Sequence, residues 1–338
     1  MKKLQNSLYV TRQESYLHKE RETIVIKQGK DKLAQFPAHA VANIFCFGQI
    51  SVSPFLMGYC GEQGIGLVFF TEYGKFLARI QGRQSGNVLL RREQYRVSDK
   101  ETPRLDIARS IVLAKIANSR RVLQREVRNK GAHPALDEAV SRLANCLRRC
   151  ERPDSLDVLR GLEGEAAAIY FGVFNQLLKQ DGFEFKGRVR RPPTDPVNAL
   201  LSFLYTLVTQ EISSALQGVG LDPYVGYLHV DRPGRVGLAL DILEEFRAWW
   251  CDRLALTLIN RKEVKTNDFD IEASGAVRLK EDARRKVLVA YQEKKQEEIS
   301  HPFLNEKVQV GLLPHCQALI LARHLRGDLQ HYPPFSVR

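Results

Sequence analysis

The texture of the chain changes once, and that change limits what it can fold into. From Ser7 to about Val97, short runs rich in Val, Ile, Phe and Tyr alternate with Gly and Pro: SLYVT, TIVIKQG, NIFCFGQISVS, GIGLVFFT, FLARIQG and NVLLRREQYRV. Runs of this length, broken at this spacing, predict strands. The pattern stops at Asp99-Lys100-Glu101-Thr102-Pro103, and beyond it Ile107, Ile111, Leu113, Ala114, Ile116, Ala117, Val122 and Leu123 recur at helical spacing. Further helices are expected over about 134–150, 155–180, 196–218, 238–258, 280–298 and 312–323. A chain of 338 residues has room for two cores. The expected fold class is α+β: a small β-rich N-terminal domain over residues 1–98, followed by a larger all-α domain over residues 104–338.

Several other classes fall away. Residues 41–60, VANIFCFGQISVSPFLMGYC, are apolar enough to suggest a membrane span, but Asn43, Gly48, Gln49, Ser51, Ser53 and Pro54 interrupt them. Two buried strands around a turn are expected there, and no membrane partner. The start, MKKLQNSLYV, lacks the apolar stretch of a signal peptide, so the expected location is the cytoplasm. The glycines of GEQGIG do not have dinucleotide-fingerprint spacing and read as turns. Cys46, Cys60, Cys146, Cys150, Cys251 and Cys316 show neither zinc-ribbon pairing nor disulfide density and read as buried thiols.

Lys and Arg outnumber Asp and Glu by 51 to 39, a net charge of +12. An even spread would serve only solubility, but the arginines cluster at 91–92, 120–121, 148–149, 188/190/191 and 284–285. Such clusters suit the forked recognition of phosphates, so a polyanionic partner is expected.

Cutting or transferring a phosphodiester calls for a cation that neutralises phosphate charge, held by hard oxygen donors and, for Mn²⁺, an imidazole. Two stretches offer these groups. In LRGLEGEAAAIYFGVF, Glu163 lies among apolar and small residues, where a carboxylate is costly unless paired. In GYLHVDRPGRVGLALDILEEFR, His229 precedes a Pro-Gly turn and a helix that carries Asp241 and Glu244 on one face at i,i+3. Taken singly, a helix-start Glu, a solvated acidic edge and a structural His are ordinary readings, and only their combination points to a site. Tyr170 and Tyr205 lie on apolar helix faces and read as core.

The combination of LRGLEGEAAAIYFGVF, RPPTDPVNALLSFLYTLV, GLDPYVGYLHVDRPGRVGLALDILEEFR and LARHLRGDLQHYPPF resembles the CRISPR-associated Cas1 endonucleases, the integrases of spacer acquisition, most of all a type I-C-like branch. The likeness runs through nearly the whole chain, including ARSIVLAKIANSRRVLQR. It implies a metal site of Glu163 (from the family's Gly-x-Glu-Gly pattern), His229 and Glu244, with Asp241 beside them as a further catalytic residue and Glu165 as a weaker alternative to Glu163. Many relatives carry Asp where Glu244 stands, a ligand shorter by one methylene. It also implies Mg²⁺ or Mn²⁺ as cofactor, dimerisation chiefly through the N-terminal domain, and a small ferredoxin-like CRISPR-associated protein as partner. Double-stranded DNA, as prespacer and repeat, would be the substrate, cut or joined through 3′-OH ends. The rival readings are a non-catalytic basic DNA-binding protein and a hydrolase of small phosphoesters, with a zinc hydrolase further behind.

Overall fold

In the computed structural model, which describes residues 6–82, 88–131, 133–189 and 192–337, strands occupy Asn6–Val10 (β1), Ser15–Glu20 (β2), Thr23–Gln28 (β3), Asp31–Pro37 (β4), Val41–Phe47 (β5), Ser51–Val52 (β6), Gly66–Phe70 (β7) and Phe76–Ile80 (β8). They form two four-stranded sheets, ordered β4-β3-β2-β6 and β1-β5-β7-β8. In the second, β1, β5 and β7 run parallel and β8 antiparallel. Alternation along β5 explains how this sheet is used, because successive side chains point to opposite faces. Ile44 and Cys46 join a small core with Leu17 and Ile24 of the first sheet. Phe45 and Phe47 face the other way into the large helical core, where the Phe47 ring lies 6.1 Å from that of Phe203. Strands β5 and β7 are therefore buried on both faces, which is why they read as near-continuous apolar runs, while the edge strand β8 stays largely exposed.

Helices follow at Pro54–Gln63 (α1), Val88–Asp99 (α2), Glu101–Lys130 (α3), Pro134–Arg149 (α4), Leu156–Gly172 (α5), Pro196–Val219 (α6), Gly237–Phe246 (α7), Arg253–Asn260 (α8), Glu281–Gln296 (α9) and Leu313–Leu325 (α10). A β-rich N-terminal part followed by a helical part is thus the observed α+β order. The sequence signals for α6 are complete: Asp195 caps its start by accepting from the Asn198 amide at 2.8 Å, Pro196 opens it, and Gly220 ends it at φ 90°. This helix is long and apolar enough to cross a membrane, yet 78% of that apolar window is buried inside the protein. It is the central core helix, packed by α7 and α10.

Two expected strands are helices instead. PFLMGYC forms α1, because Ser53 accepts from the Leu56 amide and Pro54 supplies the pre-set φ of a first helical turn. In NVLLRREQYRV, Leu90, Gln94 and Ser98 are buried one helical turn apart, so α2 begins ahead of the expected boundary. The helix expected over 238–258 is split by a π-helical segment, Arg247–Asp252. Two short hairpins, Phe269–Ile271 (β9) with Val277–Leu279 (β10) and Glu298–Ser300 (β11) with Lys307–Gln309 (β12), were not anticipated. A buried ion pair ties the parts together: Lys295 of α9 lies 2.6 Å from Glu211 of α6 and donates to Ser7 of β1 at 2.8 Å.

Candidate active site

Asp241 is fully buried on α7, where an ionised side chain needs several partners. The loop before α7 supplies them. The amides of Tyr227, Leu228 and His229 donate to its carboxylate at 2.6, 3.0 and 3.0 Å. This close curl requires Gly226, since a Cβ there would stand 2.6 Å from Asp241 Oδ2 and 2.8 Å from the Gly237 carbonyl carbon. The outer side of the loop is held too: Arg104 of α3 donates to the Tyr227 carbonyl and Arg160 of α5 to the Leu228 carbonyl, each at 2.9 Å. Gln94 of α2 donates to the carbonyls of Asp222 and Val225 at 2.8 Å.

His229 is fixed by the same carboxylate. Its Nδ1 lies 2.6 Å from Asp241 Oδ1, and since an ionised carboxylate only accepts, Nδ1 carries the proton. That leaves Nε2 directed at Glu244, 3.9 Å from its Oε1. Asp241 thus stands behind the imidazole, with both of its oxygens engaged.

Glu163 of α5 and Glu244 of α7 meet at one cation, the ammonium of Lys115, which rises from the middle of α3. Lys115 forms an ion pair with Glu163 and lies 2.8 Å from Glu244 Oε2. Arg247 approaches Glu244 Oε1 at 3.0 Å. Burial by itself would raise the Glu244 pKa, but the Arg247 and Lys115 cations beside it hold it at about 2.

A divalent cation fits this donor set. Two carboxylates and a proton-free imidazole nitrogen face one small volume, and a positive charge already stands between the acids. Glu244 Oε2 is buried and lacks an aligned hydrogen bond, despite its closeness to the ammonium. Among the described residues, no three of His, Cys, Asp or Glu stand close enough to hold a cation as placed, and the Lys115 ammonium occupies the position between Glu163 and Glu244.

The remaining candidates separate clearly. Glu165 points elsewhere and pairs with Arg149 at 2.8 Å. Tyr170 and Tyr205 are buried and donate to Asp252 at 3.1 and 2.5 Å, and burial pushes Asp252 up to about 6 against those donations. Five cysteines are buried and Cys316 partly so, all as free thiols. Arg284 is buried against Phe47, and Arg188 donates to Asn198 at 2.7 Å, so these two serve the fold; Arg190 and Arg191 lie outside the described residues. Sequence reasoning missed Lys115 and Arg247. A lysine inside the apolar helical run IVLAKIAN, and an arginine one turn after Glu244, were the available signals.

Residues 8–293 match the family described as CRISPR associated protein Cas1. The chain is 50% identical over 346 residues to the CRISPR-associated endonuclease Cas1 1 of Chlorobaculum tepidum, spanning 100% of both. Its fold is similar to that of a CAS1 protein from Thermotoga maritima, with a TM-score of 0.81 at 25% identity over 95% of this chain and 97% of that one. It also shares the fold of a casposase bound to integration product, with a TM-score of 0.85 at 20% identity over 98% of this chain and 94% of the other.

Proposed function

Because this chain belongs to the family of CRISPR-associated Cas1 proteins, we propose that it is a divalent-metal-dependent DNA endonuclease and integrase of CRISPR adaptation. It cuts DNA and joins the 3′-OH ends of a prespacer into the repeat array by phosphodiester transesterification. The observation that carries this reading is the meeting of Glu163 and Glu244 around one positive charge, with the His229 imidazole locked toward them by Asp241. Glu163, His229 Nε2 and Glu244 would hold Mg²⁺ or Mn²⁺, which supplies charge neutralisation at the attacked phosphate.

The protein's own groups do the rest. Asp241 keeps the proton on Nδ1, so that Nε2 presents a lone pair, and spends its remaining oxygen on loop amides; it is a positioning residue. Arg247 stays beside Glu244 and keeps it ionised within a buried surrounding. The Lys115 ammonium neutralises the two acids while no other cation lies between them. No side chain needs to form a covalent bond with DNA, since the attacking oxygen is water or the 3′-OH.

The finer placement in a type I-C-like branch rests on the stretches quoted from the sequence. A homodimer through the N-terminal domain, residues 1–98, accords with the exposed Phe55, Leu77 and Leu89 there. A small ferredoxin-like adaptation protein completes the assembly, which works in the cytoplasm on double-stranded DNA. The test replaces Glu163, His229 or Glu244 by Ala and follows strand transfer on half-site DNA. Each variant should lose strand transfer and still bind duplex. Persistent transfer in all three would overturn the assignment of these residues to the reaction.

A further inference from the structure

Away from the carboxylates, the C-terminal half of α3 borders a cleft of about 700 Å³ lined by Arg120, Arg121, Arg125 and Arg128, with Arg253 of α8 opposite. Arg121, Arg125 and Arg128 are exposed, and Arg120 and Arg253 partly so. Among the described residues none of the five makes an ion pair; Arg120 donates only to the Val140 carbonyl, at 3.2 Å. Asp137 is the single acid in the lining, and one of its oxygens accepts from the His133 amide. The cluster works against itself. Burial lowers the Arg253 pKa and Arg125 lowers it further, while Arg121 is depressed by burial and then by Arg120 and Arg128. Five like charges, opposed only by Asp137 in the lining and by Glu297 near Arg253, cost stability, and the cost is recovered when a polyanion arrives.

The spacing narrows the ligand. Arg121, Arg125 and Arg128 form a stripe along one helix face, and seven residues of rise span about 10 Å. A small anion would call for converging guanidinium groups. A stripe of this length matches about three phosphates of one strand of duplex DNA, at roughly 3.4 Å of rise each. Lys115 lies on the same helix, about 9 to 20 Å away along the axis and about a third of a turn round. We propose that Arg121, Arg125, Arg128 and Arg253 form a second phosphate-binding site, distinct from the carboxylate site, which grips the backbone of a DNA strand flanking the phosphate that reacts. The inference rests on the DNA-acting reading above. Because α3 carries the arginine stripe and also Lys115, which pairs with Glu163 of α5 and Glu244 of α7, DNA held at the cleft has a fixed offset from the carboxylates.

The test compares duplex affinity across a salt series for the full chain, for a triple variant (Arg121→Gln, Arg125→Gln, Arg128→Gln) and for the corresponding triple Lys variant. Losing three phosphate contacts should flatten the slope of log affinity against log salt by about 2.7. Between 50 and 200 mM salt, the parent should then lose about forty-fold more affinity than the Gln variant. The Lys variant should keep the parental slope, which a merely structural role would not predict. The Gln variant should melt no lower than the parent, since it relieves repulsion. An unchanged slope in the Gln variant, with Glu163→Ala still abolishing strand transfer, overturns the cleft assignment and spares the catalytic one. Salt-independent duplex binding by the parent would overturn both.

Discussion

Lys115→Met removes the positive charge between Glu163 and Glu244 and keeps most of the side-chain volume. Breaking a buried ion pair by deleting one partner costs about 3–5 kcal/mol, because the other charge is left uncompensated. Lys115 and Glu244 retain only 10% and 4% of their side-chain exposure, but Glu163 keeps 25%, and Arg247 still neutralises Glu244 at 3.0 Å. The lower end therefore applies, about 3 kcal/mol. In a chain of this size that lowers Tm by about 6 °C, at roughly 2 °C per kcal/mol. If a divalent cation takes the same place, Mn²⁺ should restore most of the loss, since a ligand at a hundred times its Kd contributes about 2.7 kcal/mol. Lys115→Met should also bind Mn²⁺ at least about ten-fold tighter than the parent in calorimetry, as no ammonium has to leave. Thermal melts with and without Mn²⁺ check the first claim, with Glu163→Gln/Glu244→Gln as the unresponsive control. Parent and variant melting together, or shifting equally with Mn²⁺, would refute the idea that ammonium and metal share one position.

Other expectations are simpler to state. Asp241→Asn should leave duplex binding intact and cut strand transfer by about 10–100-fold, because the amide no longer fixes the Nδ1 proton; turnover on half-site DNA reads this. Gly226→Ala places a methyl 2.6 Å from Asp241 Oδ2, so a lowered Tm and a loss of strand transfer are expected together. The folded-state pKa of Asp252, about 6, lies above the ordinary 3.8, so the folded protein binds more protons between these values and loses stability as pH rises through them. Asp252→Asn removes a penalty of about 3 kcal/mol, so its stability relative to the parent should climb between pH 4 and 7 in denaturant titrations.

How much of this was legible depends on the range of the interaction that decides each element. Local chemistry settled α6, where Asp195, Pro196 and Gly220 mark the ends whatever surrounds them. The same local rules, applied to α1, would have turned PFLMGYC from strand to helix, since Ser53-Pro54 is a capping signal. α2 was harder, because Val88-Leu89-Leu90 reads as a β run and only tertiary burial of Leu90 and Gln94 reveals the helical face. At the site, residue types and family likeness nominated Glu163, His229, Asp241 and Glu244, which the fold brings together. The division of labour was not visible: Asp241 earns its place behind His229 through amides of a loop whose shape no short-range pattern encodes. Lys115 was hidden by the rule that an apolar helical stripe means core, and it is core except for its last atom.

The sheet that carries Phe45 and Phe47 on one side and Ile44 and Cys46 on the other has a mechanical corollary. Its inner strands β5 and β7 are covered on both sides, and Lys295 of α9 ties β1 to α6 through Ser7 and Glu211. Sliding the helices past this sheet would uncover Phe45 and Phe47 and part the Lys295–Glu211 pair together.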